Sequence, residues 1–220
     1  MEAMIRPATW TTAGGTRQTL RRKLKQAARA GVCITQASAQ QPIRELSSIA
    51  HHWAISHGGE MGFSMGRFCP DYLAHQLVFL IQNDAQTIGF VSFHATSTQW
   101  TLDLIRHHNA IPDGAIHAAI VTAITAAKDA GVQQISLANT PDPRYTPDYW
   151  ASKCAGLIQF KRSFAPIWVG RYHAAPTKLE FWVSAILIGI AIHRPVTNFS
   201  WRFAGKLNSI MQNYQVRKSA

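Results

Sequence analysis

Asp103 and Arg106 stand three residues apart in Leu102-Asp103-Leu104-Ile105-Arg106. A carboxylate flanked by leucines is costly to bury without a partner. A planar guanidinium suits a phosphate, because its fork can bond two oxygens at once. Asp103 could orient or deprotonate a hydroxyl, and Arg106 could hold a phosphate beside it. The alternative is a structural ion pair, since perturbed charges mark both kinds of site. On a regular strand the two side chains point to opposite faces, so they act together only if a bulge intervenes.

Other cations sit where anions could be bound. Arg67 follows Gly66 in an apolar turn; it reads as a lining residue of a binding site or as a partly exposed side chain capping the turn. Lys161 and Arg162 close a predicted helix, where cations also favour the helix dipole. The Lys161 ammonium could stabilise negative charge developing in acyl transfer. Arg171, two residues beyond Val169 on a predicted strand, has a comparable claim. Asp113-Gly114 opens a helix whose N-terminus could take an anion such as a phosphodiester, with Asp113 as N-cap the competing reading.

Other chemistries find less support. His51-His52 and His107-His108 are adjacent pairs that diverge on a helix or a strand, and no HExxH or facial-triad spacing occurs. No metal is therefore expected. Cys33, Cys69 and Cys154 are odd in number and widely spaced, which argues against a disulfide framework and fits a reducing cytosol. Ser64 and Cys154 lack the elbow or neighbouring base of a covalent nucleophile, so direct transfer is expected.

The elements that must position these groups follow from periodicity and breakers. Residues 16–30 read as a basic amphipathic helix, with Leu20, Leu24, Ala27 and Ala28 on one face and Gly31 as stop. On its other faces Arg17, Arg21, Arg22 and Lys25 could meet RNA phosphates or an anionic membrane. A strand is expected over 32–35, a helix over 41–56 and a short helix over 71–75. An antiparallel meander follows over 77–82, 87–94 and 98–106. A helix over 114–130, a strand over 134–138, a helix over 149–160 and a strand over 167–173 complete the domain. The tail from Leu179 is helical and broken at Pro195.

That order is the one found in the GCN5-related N-acetyltransferase fold, an α/β fold with a mixed, mostly antiparallel sheet. Acyl-CoA enzymes of the fold bind pyrophosphate on a glycine-rich loop between the fourth strand and the next helix. Here Arg106 to Gly114 holds one glycine and a proline, which argues against coenzyme A. The expected domain is 16–178, with residues 1–15 as an extension and 179–220 as a helical tail.

A net charge of +11 across 220 residues favours anionic partners, nucleic acid or lipid headgroups, although solubility alone also accounts for a basic surface. The first residues have no signal-peptide core, and the apolar run Phe181 to Ile192 is shorter than the roughly 18 residues of a spanning helix. A soluble or peripheral protein is expected, with that run as a core helix or an association or membrane surface.

Four segments in series, Leu20 to Val32, Phe63 to Leu73 (FSMGRFCPDYL), Leu102 to Ile116 (LDLIRHHNAIPDGAI) and Phe160 to Tyr172 (FKRSFAPIWVGRY), resemble the C-terminal catalytic region of the phosphatidylglycerol lysyltransferases and their alanyl-transferring relatives. The resemblance implies transfer of lysine or alanine from aminoacyl-tRNA to the hydroxyl of phosphatidylglycerol on the cytoplasmic leaflet, without a redox cofactor or metal. It implies that Asp103 acts on the lipid hydroxyl and Lys161 on donor or phosphate, and that Asn139 lies at a substrate-lined strand end. The family region holds two tandem acyltransferase-like halves, of which this chain matches the second; a second half-domain or a homodimer is the implied partner. His117 stands where the family tends to carry an acid, and Ser136 to Pro141 replaces an NLG-type strand end. Two other functions fit the same features: an acyltransferase of this fold with another acceptor or an acyl-CoA donor, and a non-catalytic module docking on a membrane or partner.

Overall fold

The computed structural model describes residues 1–38, 41–60 and 66–193. Its centre is a seven-stranded sheet ordered β2-β3-β4-β5-β6-β1-β7. The strands are β1 (Glu2–Ile5), β2 (Cys33–Gln36), β3 (Leu77–Asn83), β4 (Gln86–Ala95), β5 (Gln99–His107), β6 (Gln134–Asn139) and β7 (Ile167–Val169). The helices are α1 (Gln18–Arg29), α2 (Ile43–Ser56), α3 (Pro70–Leu73), α4 (Ala115–Asp129), α5 (Asp148–Arg162) and α6 (Lys178–His193). All strand pairs are antiparallel except β5 with β6. This is the α/β architecture expected from the element order.

Each face of the sheet carries its own core. Phe79, Ile81, Val91, Phe93, Trp100 and Leu102 pack with α1 and α4, whose alanines allow close approach. Val78, Leu80, Phe90 and Leu104 pack with Leu46, Ile49 and Ala50 of α2 and Leu73 of α3. The helix ends fall where glycine permits. After α4, Gly131 takes a φ of 70° and Val132 N–H returns to the Ala127 carbonyl.

The first residues differ from the expected extension. Glu2–Ile5 is buried throughout and lies between β6 and β7, antiparallel to both. Its four residues are too few for a periodic signal, which is why the sequence pattern does not mark it. β7 is correspondingly shorter than expected, because its only partner among the described residues offers Glu2 to Met4. The first turn of the helix expected from residue 16 is 3₁₀, over Gly15–Arg17. The break expected at Pro195 and the Phe63-Ser64-Met65 part of the FSMGRF motif lie outside the described residues.

Two irregularities shape the centre of the sheet. The first is a bulge on β5. Val91 faces Ile105 and Phe93 faces Leu102, so Asp103 and Leu104 together oppose Ser92 alone. The Leu104 amide donates to the buried Ser92 hydroxyl at 3.2 Å, which satisfies a group the ladder leaves unpaired. The second is a split between parallel strands. β5 and β6 pair only at Gln99–Gln134, Trp100–Ile135 and Thr101–Ser136, and then part.

Candidate active site

The bulge decides what β5 can do. With one extra residue between Leu102 and Ile105, Leu104 joins the α2 core and the alternation is reset. Asp103 and Arg106 thereby reach the same side of the sheet. Both meet Gly66: Arg106 Nη2 donates to its carbonyl at 2.9 Å, and a Cβ on it would stand 2.1 Å from Asp103 Oδ1. The condition that sequence spacing placed on their cooperation is met.

Their environments differ. Arg106 is 2% exposed and is enclosed by protein partners. It pairs with Glu60 at 3.0 Å, donates to Ile105 and Gly66 carbonyls and lies 4.0 Å over the Trp53 ring. Burial pulls its pKa below the ordinary guanidinium range, while Glu60 and Asp103 oppose the shift. The structural ion pair is thus present, and burial withholds Arg106 from a phosphate, although its Nε has no hydrogen-bond partner among the described residues. Its partner Glu60 also accepts from Phe68 N–H, fixing the segment that covers Asp103.

Asp103 is held but not sealed, its side chain 11% exposed. Gln76 donates to its Oδ2 at 2.8 Å, and His94 Nε2 lies 3.6 Å from the same oxygen. Tyr72 Oη stands 2.5 Å from His94 Nε2. The Tyr72 pKa is raised, first by burial and then by the Asp103 carboxylate. Tyr72, Gln76 and His94 escape sequence reasoning: they belong to α3, its exit and the end of β4, and only the folded sheet gathers them. One signal was present: His94 lies on the meander strand beside LDLIR, within reach for a hairpin partner.

The other lip of the split is braced by Lys161. Its side chain is buried, and its ammonium donates to the Ala138 and Asn139 carbonyls at 3.0 and 2.7 Å. Burial lowers its pKa to about 8, with Glu2 opposing. Ala138 takes a φ of 63°, a conformation that alanine rarely adopts and that these two bonds help to hold. Asp103 and Ala138 each lie two residues past the last parallel pair, so the split separates a carboxylate from a strand end that a cation supports. No hydrogen bond or ion pair among the described residues joins Asp103 to Lys161 directly.

The remaining sequence candidates are dispersed. Arg171 pairs with the buried carboxylate of Glu2, which also accepts from Ser136. Asn139, Arg67 and Arg162 are exposed. Arg17 and Arg21 donate to backbone carbonyls of the preceding loop and of Phe164, whereas Arg22 and Lys25 flank a shallow depression on α1. Asp113 pairs with Lys23 at 2.6 Å instead of capping α4. The N-cap is Gly114, φ 88°, where a Cβ would stand 2.0 Å from the Lys23 carbonyl oxygen. Backbone of α1 therefore packs directly against this glycine and leaves no room for a side chain there. Gly114→Ala should cost about 2–4 kcal/mol, from the left-handed backbone and the overlap. Urea unfolding reads it; a loss under about 1 kcal/mol would mean that α1 moves aside freely. His117 stacks on Phe164, and burial lowers its pKa to about 4, so at neutral pH it packs as an uncharged ring.

The sequence profile of the family described as "Phosphatidylglycerol lysyltransferase, C-terminal" matches residues 1–175. The chain belongs to that family. The lysyltransferase family thus includes β1, and its match ends just before α6. The phosphatidylglycerol lysyltransferase of Bacillus subtilis (strain 168) is 23% identical over 167 residues, covering 66% of this chain and 19% of that protein. The C-terminal domain (DUF2156) of a putative lysylphosphatidylglycerol synthetase from Agrobacterium fabrum superposes with a TM-score of 0.76 at 24% identity, over 89% of this chain and 65% of that one. The L-PGS structure from Bacillus licheniformis gives 0.71 at 23%, over 88% and 65%. These likenesses establish a shared fold, and the chain spans only part of each of these relatives.

Proposed function

We propose that this chain moves an amino acid of the lysine or alanine type from aminoacyl-tRNA to the hydroxyl of phosphatidylglycerol or a related lipid. The observation that carries the reading is Asp103: a held, partly open carboxylate on the bulge where β5 leaves β6, in a chain of the lysyltransferase family. The lipid hydroxyl attacks the aminoacyl ester directly. Asp103 serves the activation of that hydroxyl, and the split between β5 and β6 gives two large substrates a shared opening. Arg22 and Lys25 on α1 supply exposed charge for tRNA phosphates, with Arg67 and Arg162 as further cations. A second half-domain or a homodimer completes the tandem arrangement that the family resemblance implies. The test supplies purified protein with radiolabelled aminoacyl-tRNAs and phosphatidylglycerol vesicles. Label in the lipid fraction is expected; its absence for every aminoacyl-tRNA, in folded protein, overturns the reading.

A lipid acceptor requires a membrane contact, and α6 fits one. No helix among the described residues is long and apolar enough to cross a bilayer. Yet α6 exposes Leu179, Trp182, Val183, Ile186, Leu187 and Ile190. After Glu180 the sequence has no acid, while Arg194, Arg202, Lys206, Arg217 and Lys218 follow. Apolar side chains followed by cations suit the cytoplasmic face of an anionic bilayer. Ile186→Asp with Leu187→Asp should lower cosedimentation with phosphatidylglycerol vesicles by about tenfold or more, each charge in the apolar layer costing on the order of 1–3 kcal/mol. Unchanged binding would remove α6 from the contact.

A further inference from the structure

The residue through which the proton leaves the acceptor hydroxyl is not fixed by Asp103 alone. At 11% exposure, and with Gln76 on Oδ2, its carboxylate is better placed to hold a neighbour than to serve as the moving base. The neighbour is His94, which is 46% exposed. It stands opposite Thr101, the last β5 residue paired with β6 before the strands part. Its ring is therefore level with the point where the strands part, one strand across β5 from the split, and approaches it through Asp103.

The inner edge of that ring is fully engaged. Nε2 lies 2.5 Å from Tyr72 Oη, 3.4 Å from Gln76 Nε2 and 3.6 Å from Asp103 Oδ2. Nδ1 has no hydrogen-bond partner among the described residues. With the proton on Nε2, the ring donates to Tyr72 Oη and leaves the Nδ1 lone pair available. When Nδ1 takes a second proton, the Asp103 carboxylate faces the imidazolium at 3.6 Å. Carboxylate, imidazole and open nitrogen are the parts that general-base catalysis by histidine requires.

We propose that His94 is the proton-carrying catalytic residue of the transfer, with Asp103 and Tyr72 as its positioning residues. The proposal rests on the aminoacyl-transfer reading given above. The acceptor hydroxyl oxygen bonds to the aminoacyl carbonyl carbon, and the ester bond to the tRNA ribose breaks. The hydroxyl proton passes to His94 Nδ1 and from there to the departing ribose oxygen. No proton is gained or lost overall, and no co-reactant is needed. The titratable groups facing His94 are Tyr72 and Asp103; Gln76 is uncharged.

The experiment uses the full chain, charged tRNA and phosphatidylglycerol vesicles, and compares wild type with His94→Gln and His94→Ala. Gln keeps a polar group of similar reach but carries no proton at neutral pH. Both variants should lose about 10²–10⁴-fold in kcat, as general-base catalysis is worth. The KM for vesicles should stay within about twofold, since the ring acts in the transition state and not in binding. The acid limb of the wild-type kcat/KM profile should vanish in both, and added imidazole should restore part of the His94→Ala rate. A His94→Gln enzyme with wild-type kcat and an intact acid limb overturns the proposal while leaving the transfer reading in place. Wild-type protein without transfer activity overturns the transfer reading, and this proposal falls with it.

Discussion

Replacing Asp103 with Asn lowers aminoacyl transfer by about 10²–10⁴-fold, the range that a positioned acid–base group supplies, while the melting temperature moves by only a few degrees. The asymmetry follows from the surroundings. Gln76 donates a hydrogen bond to the carboxylate, and an Asn oxygen can accept that bond equally well. The nearest groups on the other side, Tyr72 and His94, are both substantially exposed, so water can replace what they lose. What Asn cannot replace is the negative charge that faces His94 and Tyr72. The same change in a carboxylate that only stabilised the fold would act in reverse, with a large fall in melting temperature and little effect on the rate of the remaining folded protein. Transfer rate and thermal unfolding measured on one preparation separate the two. Retained transfer would remove Asp103 from the chemistry.

The parts of this site that were legible in sequence share one property: they depend on near neighbours along the chain. The meander from Leu77 to His107 announces itself through alternation and short turns, and α4 through its spacing and the glycine that stops it. Asp103 stands out because a carboxylate between leucines is costly. The remainder depends on contacts that no local pattern encodes. The bulge is stabilised by the Ser92 hydroxyl, on the neighbouring strand, and without it Asp103 and Arg106 would face apart. Glu60 reaches Arg106 across a separation of 46 residues, and Glu2 reaches Arg171 across 169. His94 was one of ten histidines in the sequence, distinguished only once Tyr72 and Asp103 are brought to its ring. Gly114 illustrates a different limit. A glycine before a helix reads equally well as an anion cradle or as room for a crossing backbone, and here the carbonyl of Lys23 takes the space.

Arg106→Met should cost about 3–5 kcal/mol, as removing one partner from a buried ion pair does. The reason is what stays behind. Met fills much of the volume and can still lie against Trp53, but the Glu60 carboxylate, 15% exposed, loses its counter-charge, and the Gly66 carbonyl loses a donor. For a chain of this size that corresponds to a fall in melting temperature of roughly 6–20 °C. Glu60→Gln in the same background should return part of the loss, because it removes the stranded charge; a double-mutant cycle in urea isolates the coupling. The alternative, in which Arg106 holds a substrate phosphate, predicts another pattern. Stability would then change little, and the loss would appear as a raised KM for phosphatidylglycerol vesicles. An intermediate outcome is also informative. Arg106 and Glu60 together fix the segment that begins at Gly66, and that glycine lies against Asp103. If Arg106→Met folds and its transfer rate falls with an unchanged KM, the guanidinium serves the chemistry by keeping Asp103 in place. The ion pair would then be part of how this fold holds its carboxylate at the parting of β5 and β6.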